Sequence, residues 1–155
     1  MNSIESKPEF VYVTYINTTP EKVWDALTNG EMTKQFWGFS RNVSDWQTGS
    51  AWSHQDYEDA SRVKVTGVVL ESAPPRRLVL SWGRPDNAAD TEKHSRVTFE
   101  IEPSFGAVKL TVIHDHFTPE TDVRMLTQGW QAILSSLKTL LETGQPLAMT
   151  TRRWG

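Results

Sequence analysis

The sequence predicts an α+β fold: an antiparallel sheet with one face covered by a single long C-terminal helix. Three observations predict it. Between residues 41 and 115, short segments rich in β-branched, aromatic and alternating apolar residues are separated by turn chemistry. From Val123 to Leu141, apolar residues recur at spacings of three and four, as on an amphipathic helix. The order of elements is one strand, two short helices, six strands and the long helix. It offers that helix no apolar surface except the covered face of the sheet.

Residues 1–8 read as a polar lead-in ending at Pro8. The run Phe10-Val11-Tyr12-Val13-Thr14-Tyr15-Ile16 is a strand by composition. Thr19-Pro20-Glu21 then combines a capping hydroxyl, a first-turn proline and an acidic residue, which together open a helix. That helix carries Val23, Trp24 and Leu27 and ends at Asn29-Gly30, and a second short one runs from about Glu31 to Phe36. The aromatic cluster Phe36-Trp37-Gly38-Phe39 leads into strands near 41–45, 51–57, 62–72, 77–82, 96–102 and 107–115. Thr48-Gly49-Ser50, Ala73-Pro74-Pro75 and Pro103-Ser104-Phe105-Gly106 supply turns between them. Residues 84–94 are polar and read as a mobile loop. Val97, Phe99 and Ile101 share a face, as do Val108, Leu110 and Val112, while Arg96, Thr98, Glu100 and Lys109 take the other. Thr118-Pro119-Glu120 repeats the earlier helix-start signal, predicting about 25 helical residues and roughly 37 Å, stopped by Gly144 and Pro146. One domain therefore spans 9–146, followed by a loose tail, 147–155, which Trp154 could anchor.

With 155 residues, the chain is of single-domain size and can hold one core without staples. It has no cysteine, which excludes disulfides, thiolate catalysis and cysteine-built zinc sites. A formal net charge of −3 lacks the basic stripe that nucleic acid requires. No basic-then-apolar leader opens the chain, and no apolar run approaches the ~20 residues of a membrane span, so a cytoplasmic protein is expected. Seven tryptophans stand out against 37% hydrophobic residues. Such aromatics line pockets, and they also simply fill cores.

The order of these segments resembles the stand-alone homologues of the Hsp90 ATPase activator's C-terminal domain, within the helix-grip, START-like (SRPBCC) superfamily. The matching residues are Thr18-Thr19-Pro20-Glu21-Lys22-Val23-Trp24-Asp25-Ala26-Leu27-Thr28, Phe36-Trp37-Gly38 and the turn Thr48-Gly49-Ser50, where the usual Gly-Gly is Gly-Ser. Gly67-Val68-Val69-Leu70-Glu71, Leu78-Val79-Leu80-Ser81-Trp82, Ser95 to Glu102, Leu110 to His114 and the closing helix from Gly129-Trp130 complete the match over about residues 10–145. The resemblance implies a curved sheet of six to seven strands gripping the C-terminal helix, with a cavity between them. Superfamily members bind lipids, sterols or other apolar ligands, some catalyse cyclisation, and others partner larger machines. A shared fold does not set the function.

The expected function is binding of a small apolar or aromatic ligand in that cavity, by a monomer or homodimer, with no cofactor, metal or catalytic residue assigned. The ligand-binding residues expected are Trp37, Trp52, Tyr57, Leu80, Trp82, Phe99, Val112, His114, Trp130 and Ile133. The plain alternative is that Trp and Phe fill the gap and leave only a core. His114 continues the period of Leu110 and Val112, so it points inward. There it contacts a ligand, acts as the acid–base group of a cyclase or hydrolase, or is simply satisfied by protein groups. Partnership with an Hsp90-type chaperone ranks third, because the activator carries a further N-terminal domain for which this length leaves no room. His114 with His116, and His54 with Asp56, have a metal-like spacing, but the two pairs have no defined relation to each other. Gly129, in mid-helix, costs about 1 kcal/mol against Ala and is read as a close helix–sheet approach, with room for a ligand as the other explanation.

Overall fold

The computed structural model describes residues 7–154. Strand β1 (Phe10–Ile16) is followed by helices α1 (Pro20–Thr28) and α2 (Gly30–Phe36). Strands β2 (Ser40–Ser44), β3 (Ala51–Asp56), β4 (Val63–Ala73), β5 (Arg77–Trp82), β6 (Ser95–Ser104) and β7 (Ala107–Asp115) come next, then helix α3 (Val123–Thr143). All seven strands form one curved antiparallel sheet in the order β1-β7-β6-β5-β4-β3-β2. β2 to β7 are a meander, and β1 closes on β7 with Phe10 opposite His114 and Ile16 opposite Val108.

The predicted caps are present at the start of the chain. Thr19 accepts from the Lys22 amide, Pro20 opens α1, and Asn29 ends α1 while capping α2 through the Glu31 amide. The long helix starts later than its Thr-Pro-Glu signal implies. Thr118 is consumed by its own turn, in which the Thr121 amide donates to its carbonyl. Asp122 is the true cap and accepts from the Met125 amide. The helix has 21 residues and is about 31 Å long. Gly144, at φ 83°, ends it in the left-handed region.

One apolar core lies between the sheet and α3. Val97, Phe99, Ile101, Leu110 and Val112 from the sheet meet Trp130, Ile133, Leu134, Leu137 and Leu140 from the helix, all of them buried. At Gly67 the next strand approaches so closely that a Cβ would stand 2.0 Å from the Ser81 carbonyl oxygen, a distance only a glycine permits.

Two segments are more ordered than their polarity suggests. Residues 84–94 fold into two short 3-10 turns and end on buried His94. Its Nε2–H donates to the Asn87 carbonyl at 2.8 Å, and its Nδ1 accepts from Ser81 Oγ at 3.0 Å. The C-terminal segment is tied down rather than loose. Buried Thr150 bonds Ser136 Oγ and the Gln35 carbonyl, and the Gly38 amide donates to the Thr150 carbonyl. Arg153 pairs with buried Asp56, whose carboxyl it holds down at about 2. The Trp154 ring lies where a Cβ of Gly38 would be, 2.8 Å away.

Candidate functional site

A cavity of about 380 Å³ opens between the sheet and the first half of α3. Trp37, at the end of α2, Trp82, at the end of β5, and Trp130, on α3, form its aromatic wall. Their ring centroids are 5.4 to 6.2 Å apart. The three rings thus fill part of the gap, as the core-only alternative expects, and leave the rest open.

Gly129 accounts for much of that opening. On α3, Met125, Leu126, Gly129, Trp130 and Ile133 line the cavity and fall within one stripe about 140° wide. Gly129 sits inside the stripe, and a Cβ there would meet nothing within 4 Å. The close-approach reading of this glycine is therefore corrected: it leaves space.

Five of the ten residues expected to bind ligand share this cavity: Trp37, Trp82, His114, Trp130 and Ile133. Trp52, Leu80, Phe99 and Val112 are fully buried behind the wall. Trp52 packs tilted against Trp82 at 5.0 Å while its Nε1–H donates to the Ser81 carbonyl, and Phe99 meets Trp130 edge-on at 5.9 Å. Tyr57 lies elsewhere, against Phe39, with its hydroxyl donating to Glu31 Oε1 at 2.6 Å. The reason is parity: Trp52 and His54 point inward along β3, so Tyr57 is out of phase with them.

His114 points inward as the alternation requires and is 1% exposed. Trp130 Nε1–H donates to its Nδ1 at 3.1 Å. An indole N–H only donates, so the proton of the neutral ring is on Nε2, which donates to Ser95 Oγ at 2.7 Å. Ser95 Oγ–H in turn donates to the Trp82 carbonyl. Burial pushes His114 down to about 4, and nearby Asp115 only partly opposes this. Both nitrogens are committed to protein partners, which leaves neither free for proton transfer to a substrate.

The metal-like pairs are separately engaged. His116 leaves the strand at φ 57° and faces Asp115, His54 bonds Asn42, and Asp56 pairs with Arg153. Among the described residues, no three His, Cys, Asp or Glu side chains gather as a metal site. No helix among them is long and apolar enough to cross a membrane.

Among the wall residues not anticipated as ligand contacts are His54, Lys64, Ser95 and Trp154. His54 was legible, because it shares the parity of Trp52. Lys64 was not. It falls at a bulge, where Gln55 pairs with Val63 and His54 with Val65. The extra residue turns Lys64 to the same side as Val65, and both line the cavity. Trp154 arrives from the far end of the chain, which no local pattern announces.

Comparison with known proteins places this geometry in a family. No curated protein matches the chain. The family described as "Activator of Hsp90 ATPase homolog 1-like protein" matches residues 17–142. Among solved structures, the protein ChR145 from Cytophaga hutchinsonii is 27% identical, with a TM-score of 0.70 over 91% of this chain and 98% of that one. An HSP90 activator from Plasmodium falciparum is 22% identical, with a TM-score of 0.68 over 86% of this chain and 95% of its own. The Aha1 dimer from Colwellia psychrerythraea is 20% identical, with a TM-score of 0.67 over 88% and 98%. The helix-grip fold is common to all of them, and the chain belongs to the Activator of Hsp90 ATPase homolog 1-like family.

Proposed function

We propose that this chain is a cytoplasmic binding protein that holds a small apolar or aromatic ligand between the sheet and α3. One observation carries the reading: a cavity of about 380 Å³ stands against a wall of three tryptophans. Ligand pockets of about 300–1,000 Å³ with apolar linings and a few polar groups are the usual small-molecule sites. Trp37, Trp82, Trp130 and Ile133 supply the contact surface. His114 and Ser95 hold the wall in place. Trp52, Leu80, Phe99 and Val112 support it from behind.

The test uses the tryptophans themselves. Fatty acids and flat aromatics are titrated while intrinsic fluorescence and thermal stability are followed, and at least one class gives a saturable change with a raised Tm. Gly129→Phe places a ring in open space, so it leaves the fold intact and abolishes that change. A broad panel that produces neither a saturable signal nor a thermal shift would overturn the reading.

A further inference from the structure

Three histidines are buried, and they differ in what they leave unsatisfied. His94 and His114 have both ring nitrogens occupied by protein groups. His54 has one. The contacts that set which one begin at helix α1. The Leu27 carbonyl near its C-terminus accepts from Asn42 Nδ2 at 3.1 Å. Only the amide nitrogen of an asparagine can donate to a carbonyl, so Asn42 Oδ1 is the atom that faces His54 Nδ1, at 2.7 Å. That oxygen only accepts, so the imidazole proton is on Nδ1. The ring is neutral, because burial, with Lys64 nearby, pushes it down to about 3. Nε2 is therefore a bare acceptor.

His54 is 5% exposed, lies on the cavity wall and packs on the Trp37 ring at 4.9 Å. No described residue donates to its Nε2. Nε2 is not among the buried side-chain atoms left unpaired, so it is open to water, which a donating ligand group replaces. Lys64 stands on the same wall. Its ammonium donates to Ser40 Oγ at 2.9 Å and to the Trp154 carbonyl at 3.2 Å, which uses two of its three protons. This part of the wall thus offers one acceptor and one charged donor.

We propose that the ligand is a flat aromatic bearing a hydroxyl, which donates to His54 Nε2 and accepts from Lys64. The inference rests on the binding reading above and assigns the chemistry of its ligand. A hydroxyl satisfies both groups at once. An ether can only accept, and leaves Nε2 unpaired. A carboxylate presents a second acceptor to Nε2, and an ammonium faces the Lys64 charge. The rings of Trp37, Trp82 and Trp130 favour a flat π-surface as the body of the ligand.

The experiment is calorimetric titration of the wild-type protein with naphthol, its methyl ether and naphthoate, all substituted at the same ring carbon. Naphthol is expected to bind about tenfold more tightly than the ether, the size of one net hydrogen bond at the upper end of its range, and naphthoate more weakly than naphthol. His54→Phe should bring naphthol and its ether to the same affinity. If that variant does not fold, the wild-type ratio decides alone. Equal binding of naphthol and its ether would overturn the ligand assignment and leave the cavity reading standing. Absence of saturable binding by all three, together with a silent wider panel, would overturn both.

Discussion

Leu137→Ala is expected to lower the unfolding free energy by about 2–5 kcal/mol, the cost of truncating a fully buried leucine. Leu137 is 0% exposed, at the centre of the α3 face formed by Ile133, Leu134 and Leu140. The adjacent Lys138→Ala is the control. Its ammonium reaches the Tyr15 carbonyl and Glu142 at the surface, and half-exposed pairs of this kind contribute about 1 kcal/mol or less. Urea midpoints at constant m-value measure both. Equal losses would mean that the helix presents a different face to the sheet.

The second large effect is a loss of stability in mild acid. His54 and His114 are both neutral in the fold, pushed down by burial to about 3 and about 4 respectively. In the unfolded chain each titrates near 6.5. Above that pH both states are neutral and the two groups contribute no pH dependence. Below it the unfolded chain binds protons that the folded chain does not, so stability falls with pH. The slope approaches about 1.4 kcal/mol per pH unit for each histidine, and so about twice that for the pair. It persists until His114 charges in the folded state near 4, after which His54 continues alone toward about 3. Urea midpoints at pH 7, 6 and 5 should therefore drop steadily, and His114→Asn should halve the dependence. That variant also starts from lower stability, because Trp130 Nε1–H loses its acceptor. A midpoint unchanged between pH 7 and pH 5 would show that the histidines are not held neutral.

Local chemistry accounts for how much of the fold could be read in advance. Period-two alternation located β6 and β7, and the three–four spacing located α3, because burial on one face imposes those periods on any chain. Thr19-Pro20 and Asn29-Gly30 marked α1 and α2 by capping. The start of α3 misled because two adequate caps, Thr118 and Asp122, lie four residues apart, and only packing decides which turn continues as helix. Inward strand parity placed His114 and Trp82, and the three–four helical spacing placed Trp130 on the buried face, while the strand rule applied to Trp52 would have kept His54 and set Tyr57 aside.

What the amino-acid sequence determined by itself is the set of elements, their buried faces and the inward aim of His114, all consequences of period and capping within a few residues. Tertiary structure alone decided whether those faces close into solid core or leave a cavity, because that depends on how side chains from distant segments meet. Trp37, Trp82 and Trp130 converge from three separate elements, and Gly129 opens space only because nothing across from it fills the gap. The bulge that turns Lys64 inward is a matter of strand register. The tautomer of His54 depends on Asn42 and the end of a helix packed beside it, contacts 12 and 15 residues apart in the chain. No local pattern encodes such relations, since each is set by the geometry of one chain segment against another.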